Sequence, residues 1–214
     1  ADGEDNYSIQ VEGRLAASTA DAPVAGMQYA TPGYREAMGI ALERGRWFTE
    51  ADRSDAPLVA VVNRRMADEL WPGEDPLGRR LRMYPDGNPW MEIVGVVDDV
   101  AYLGVRVPPP AKLYVPHRQA ARSAYYAPNQ LTLLLRTDGD PTALAGPVRR
   151  TIGDLRAGVP VGPVRSMETV VDTALAGDRF ALLLLTAFAA IALALAAVSV
   201  YGVVARSVAE RVRE

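Results

Sequence analysis

Few side chains in this sequence are equipped to make or break bonds. Its 214 residues include no cysteine, one histidine, His117, and one lysine, Lys112. Without cysteine there is no thiolate nucleophile, no disulfide framework and no Cys-ligated metal. A Ser-His-Asp triad would have to use His117, which sits in Pro116-His117-Arg118 beside a proline-rich loop. A solvated or capping role suits it better, and one histidine without cysteine makes no zinc site. Lys112 lies between Ala111 and Leu113, so the G-x-x-x-x-G-K-[ST] phosphate loop is absent; G-x-S-x-G and G-x-G-x-x-G are absent too. Asp98-Asp99 reads as a buried carboxylate pair, but adjacent strand residues point to opposite faces. The pair suits a strand end or turn better than shared proton transfer, with Ca²⁺ or substrate binding the lesser alternative. Arg79-Arg80 and Arg149-Arg150 read as solvated faces rather than phosphate sites. The expectation is no enzyme, no cofactor and no metal.

The strongest physical signal is greasy rather than reactive. Phe180 to Val204 is a run of 25 uncharged residues, apolar except for Thr186, Ser199 and Gly202. As a helix rising about 1.5 Å per residue it would reach roughly 37 Å, enough for a hydrocarbon core of ~30 Å. Residues 179–205 are therefore predicted to form a transmembrane helix, with Phe180 and Tyr201 near its two interfaces. Arg206, Arg211 and Arg213 follow it, whereas Asp172, Asp178 and Arg179 precede it. The positive-inside bias then puts 206–214 in the cytoplasm and 1–178 outside, which in a Gram-negative cell is the periplasm. Ala189, Ala192, Ala196 and Ser199 recur at 3-4-3 spacing. That stripe either lets a neighbouring membrane helix approach or reflects the abundance of alanine. Residues 1–179 carry 20 positive and 24 negative charges, and the net charge is −3, which gives no reason to expect nucleic acid. The first residue is not Met and no leader-like apolar segment opens the chain, so the sequence reads as an excerpt of a longer polypeptide.

Several elements must hold the outer body together. Residues 7–14 alternate enough for a strand. Thr31 as N-cap and Pro32 at the first helical position open a short helix that Gly39 closes. Residues 45–56 read as polar turns and 58–62 as a buried strand. Asn63 caps a helix over 64–71, with Met66, Ala67, Leu70 and Trp71 on one face. Strands follow at 80–84, 90–97 and 113–115, separated by turn signals at 86–89 and by Pro108-Pro109-Pro110. Residues 130–165 then predict β-α-β: strand 130–137, an Asp138-Gly139-Asp140-Pro141 turn, helix 141–157 and strand 161–165. Ser166 caps a second amphipathic helix, and Gly177 leads into the apolar run as one continuous or slightly kinked helix.

Stretches of the chain resemble one family. Gly39 to Phe48 (GIALERGRWF), Val59 to Asn63 (VAVVN), Leu70 to Gly78 (LWPGEDPLG) and Glu92 to Asp99 (EIVGVVDD) resemble the MacB-like periplasmic core domain. So do Leu113 to Pro116, Arg136 to Pro141 and Val164 to Glu168. Phe180 onward, through VYGVV to AERVRE, looks like the membrane helix that opens the FtsX-like permease domain, closest in flavour to the large duplicated permeases first noted in acidobacteria. Lys112 departs from relatives that carry an acidic residue before Tyr-x-Pro.

The resemblance implies a mixed α/β (α+β) extracytoplasmic domain over 1–178, followed by one transmembrane helix. Porter-like parts would occupy about 1–44 and 126–178, with an inserted part at about 45–125. The helix would be 179–205, and 206–214 would start a cytoplasmic coupling segment bearing Arg206, Arg211 and Arg213. The function implied is a non-catalytic permease subunit of a mechanotransmission-type ABC transporter, with 166–204 as stalk plus second membrane helix and Gly177 as the stalk hinge. Its partners would be a separate ABC ATPase, a second permease copy or the other half of a duplicated permease, and membrane lipid. The alternative is the sensor domain of a single-pass signalling receptor. A tethered periplasmic enzyme is a third reading, weakened by the missing nucleophile and metal ligands.

Overall fold

β-branched and aliphatic residues favour extended backbone, and each strand runs only as far as a neighbouring backbone pairs with it. The computed structural model describes residues 6–14, 16, 18–84, 87–100, 109–123, 131–155, 160–173, 182–193 and 195. Two compact units result, Ala1–Gly139 and Asp140–Glu214. In the first, the strands are β1 (Asn6–Val11), β2 (Val24–Ala30), β3 (Leu42–Gly45), β4 (Val59–Asn63), β5 (Arg80–Met83), β6 (Met91–Val97) and β7 (Lys112–Pro116). They run in the order β3-β6-β4-β7-β2-β1-β5, and β5 also pairs with β6. That last pairing closes six of the seven into a barrel, with β3 left on the flank of β6.

β6 serves two neighbours on one side by dividing its length. Met91 and Glu92 pair antiparallel with Leu81 and Arg80 of β5, whereas Gly95 to Val97 face Gly45, Arg44 and Leu42 of β3. On its other side β6 runs parallel to β4, with a register shift between Ala60 and Val61 that skips Val94. The skip lets both Ile93 and Val96 turn inward while Val94 joins the outer core. Ile9, Val11, Leu81, Met83, Met91 and Leu113 meet them in the interior. Outside β4, β6 and β7 lies a second core of Tyr34, Ile40, Trp47, Phe48 and Tyr114, with Trp47 against Phe48 at 4.5 Å between ring centroids and against Tyr114 at 5.6 Å. β4 and β7 are consequently buried at every residue, as strands covered on both faces are.

Short helices dock on this frame. α1 (Tyr34–Met38) ends at Gly39, whose φ of +69° suits glycine. Its N-cap is Gly33 with no side-chain cap, not Thr31, whose carbonyl instead accepts from the Tyr34 amide at 3.1 Å; the turn consumes Pro32 before the helix begins. α2 (Arg64–Leu70) is capped by Asn63 and sends Met66 and Ala67 into the barrel core, joined by Trp71. A 3-10 turn (His117–Gln119) continues into α3 (Ala120–Ser123).

The β-α-β unit expected over 130–165 is corrected. Its helix forms, but residues 131–137 and 160–165 join no ladder. Leu131, Leu133 and Leu135 are 85%, 62% and 53% exposed. Alternation can choose which face a strand buries, but it cannot supply the partner backbone a ladder needs. Leu134 does pack on the outer core, and Arg136 donates to the Glu36 carbonyl at 3.3 Å.

In the second unit, Asp140 accepts from the Thr142 amide at 2.8 Å and starts a 3-10 turn (Pro141–Leu144) leading into α4 (Ala145–Leu155). α5 (residues 167–173) begins at Ser166, whose hydroxyl accepts from the Thr169 amide at 3.2 Å. α6 (residues 182–193) is apolar and exposed along its length. Its one hydroxyl, on Thr186, donates back to the Leu182 carbonyl at 2.8 Å. No helix among the described residues is long and apolar enough to cross a membrane; the expected span 179–205 lies partly outside them.

Gly45 and Gly95 face each other where β3 crosses β6. A Cβ on Gly95 would stand 2.2 Å from the Arg46 carbonyl oxygen, and one on Gly45, at φ +72°, 2.2 Å from that of Val94. Gly95→Ala is expected to cost about 1–3 kcal/mol through backbone displacement, read as a lower midpoint in equilibrium urea unfolding. Gly33→Ala, with open space around it, should stay within about 0.5 kcal/mol of the parent.

Candidate functional site

Among the described residues of the first unit, the buried polar side chains are Gln10, Asp52, Asn63, Lys112 and Gln119. Burying such groups without partners is costly, so their bonds show what they do. Asn63 is 2% exposed and ends β4. Its Oδ1 accepts from the Met66 amide at 3.1 Å and the Lys112 amide at 2.8 Å. Its Nδ2 donates to Asp99 Oδ1 at 2.6 Å and to the Pro110 carbonyl at 2.9 Å. One carboxamide thus caps α2, fixes the start of β7 and holds the residues just after β6.

The carboxylates beside it are used the same way. Asp99 Oδ1 also accepts from the Arg65 amide at 3.0 Å. Asp98 accepts from the Asp99 amide at 2.7 Å and pairs with Arg64 at 3.1 Å. The pair therefore terminates a strand and steadies the first turn of α2, as a strand-end reading requires. Lys112 is 4% exposed with Nζ 5.8 Å from the Tyr114 ring centroid, within cation–π range.

Asp52 organises the loop between β3 and β4. Arg46 grips it with two bonds of 2.9 Å, and the Thr49 amide adds a third at 2.8 Å. Burial pushes the Asp52 carboxyl up, but the bonds from Arg46 and Thr49 outweigh it and leave it below the usual carboxylate range. Arg46 is held above its ordinary value, chiefly by the bond to Asp52. The Thr49-x-x-Asp52 spacing is a turn signal that could have revealed this junction. Nothing comparable marks Gln119, which is fully buried.

The other singled-out residues stand apart. His117 is exposed at the head of its 3-10 turn. Arg79 pairs with Glu74 and Arg80 with Glu12, while Arg149 and Arg150 are exposed on α4. Ala189 and Ala192 lie one turn apart on α6, both exposed; Gly177, Ala196, Ser199, Arg206, Arg211 and Arg213 fall outside the described residues. Among those described, no three metal-ligating side chains cluster. A cleft between Pro23, Val24 and Leu70 admits about 10 Å³, the space of a single water. Asn63, Asp99 and Asp52 thus hold backbone junctions in place.

The profile of the MacB-like periplasmic core domain matches residues 5–151. The macrolide export ATP-binding/permease protein MacB 2 of Aeromonas hydrophila is 29% identical over 179 residues, covering 82% of this chain and 27% of its own length. The MacB protein of Syntrophobacter fumaroxidans is 36% identical over 73 residues, 34% of this chain and 10% of its own. The chain thus spans about a quarter or less of these curated relatives. Among solved structures, the periplasmic region of MacB from Actinobacillus actinomycetemcomitans is similar at 18% identity and TM-score 0.49, covering 71% of this chain and 63% of that one. The extracellular domain of the noncanonic ABC-type transporter YknZ from Gram-positive bacteria is similar at 20% identity and TM-score 0.36, covering 53% and 57%.

Two outcomes follow from these junctions. Asn63→Ala strips the α2 cap and leaves the Lys112 amide and Pro110 carbonyl without that partner, at a cost of about 2–4 kcal/mol in urea unfolding. Asp52 stabilises the fold above the unfolded carboxylate value of about 3.9, and this is lost as pH falls through its lower folded value. Thermal melts carried from neutral pH to well below the unfolded value of about 3.9 should show that loss at the acid end, and Asp52→Asn should flatten it there.

Proposed function

The chain belongs to the MacB-like periplasmic core domain family, and from that membership we propose that it is the extracytoplasmic body, with its following membrane helix, of a non-catalytic ABC transporter permease. One observation carries the reading: the family match over residues 5–151 is followed on the same chain by 25 uncharged, mostly apolar residues and then three arginines. In this reading residues 1–178 stand outside the inner membrane, 179–205 cross it and 206–214 begin a cytoplasmic coupling segment. ATP binding then falls to a separate ABC ATPase, and residues 1–214 supply no phosphate-binding loop of their own.

Stiff helices would carry the motion. The Ser166 cap fixes where α5 starts, and α6 exposes apolar side chains all round, the surface a lipid-facing helix needs. The run 166–204, stalk plus second membrane helix, would transmit ATPase-driven closure outward for efflux or extraction, with Gly177 as its hinge. Ala189, Ala192, Ala196 and Ser199 would face a second permease copy or the other half of a duplicated permease.

Topology and lever are tested separately. Residues 1–214 contain no cysteine, so each replacement is compared with the otherwise identical protein lacking it. In intact cells a membrane-impermeant maleimide should label Thr173→Cys and spare Ser207→Cys; equal labelling of both refutes the crossing. In the assembled transporter, Gly177→Pro should leave ATP hydrolysis and the folded body intact while abolishing transport, and unimpaired transport removes the lever.

A further inference from the structure

The chain leaves the barrel at Pro116, the last residue of β7, and is at once tied down. Gln119 turns its fully buried carboxamide into the loop before β4. Nε2 donates to the carbonyls of Arg53 at 3.2 Å and Pro57 at 3.0 Å, and Oε1 accepts from the Val59 amide at 3.1 Å. Arg122 reaches the same loop, donating to the Ala56 carbonyl at 3.2 Å and to that of Ser54. Arg118 pairs with Glu50 at 2.9 Å. Arg118, Gln119 and Arg122 thus reach a single target, the loop 50–59.

We propose that residues 117–123 form a releasable clasp that fixes, and on opening lengthens, the lead-out of the chain from the barrel. The segment is one 3-10 turn and four α-helical residues, far too short to be stable as an isolated helix. Its grip is made by side chains on one loop, Gln119 from a buried position and Arg118 and Arg122 from the surface. It touches no barrel ladder beyond the Val59 amide, so it can open locally without unfolding the barrel. The barrel strands are held by closed ladders that use none of these bonds, except that the Val59 amide at the start of β4 is shared. Opening would turn seven residues from roughly 10–14 Å of helix into as much as ~24 Å of extended chain. The clasp sets the slack between the end of β7 and residues 134–136, where, among the described residues, Leu134 and Arg136 next meet this unit. The inference does not depend on the transporter reading.

Gln119→Glu keeps the size of the side chain but replaces the donor facing two carbonyls with an acceptor. In native-state hydrogen exchange on the full chain, protection of the Val59 amide and of residues 117–123 should fall together by about tenfold. The Ile93 amide, bonded to the Arg79 carbonyl at 2.9 Å, should keep its protection. Arg122→Ala, at an exposed position, should produce a smaller fall in the same two places. Loss of protection spread evenly through the barrel strands, loosening of 117–123 without Val59, or no change in either variant would each overturn the clasp.

Discussion

The fold of the first unit depends on one carboxamide. Asn63 stands where β4 becomes α2, and its four hydrogen bonds reach three other parts of the chain. A buried amide in that position cannot be half satisfied: an unmade bond costs about 1–3 kcal/mol, close to what a made one returns twice over. The arrangement therefore favours one relative placement of helix and strands. Asp99 beside it, half-buried, is satisfied by the Asn63 amide and the Arg65 backbone, so polar and apolar demands agree.

Barrel closure follows the same economy of positions. β6 is long enough to pair with β5 at one end and β3 at the other, and a skipped residue keeps its apolar side chains on the correct faces. Two facing glycines let β3 approach closely. β3 itself is short, and Glu43 and Arg44 on it are paired with Arg64 and Asp75, a way of discouraging a further strand.

A body built this way suits a domain that keeps its shape while something else supplies energy. Its buried polar residues are spent on junctions between elements, and its arginines are largely engaged with carboxylates or backbone carbonyls. Membership of the MacB-like periplasmic core domain family fits such a body, and the apolar run beyond it gives the proposed route by which movement would arrive.

By itself the sequence determined whatever is local. The helix cap at Asn63, the stop at Gly39, the Asp140 and Ser166 caps and the continuous apolar strands β4 and β6 are each written within a few residues, because hydrogen bonds and alternation act at that range. The family resemblance was legible too, since its motifs are turn and strand segments. Tertiary structure alone decided which strands have partners. β2, with Gly and Gln among its apolar residues, and the exposed β3 become strands because β7 and β6 offer them backbones, whereas the well-patterned leucines of 131–135 find none. The roles of Gln119 and Lys112 were likewise invisible, because their burial is set by chain segments far away in sequence, which no local pattern encodes.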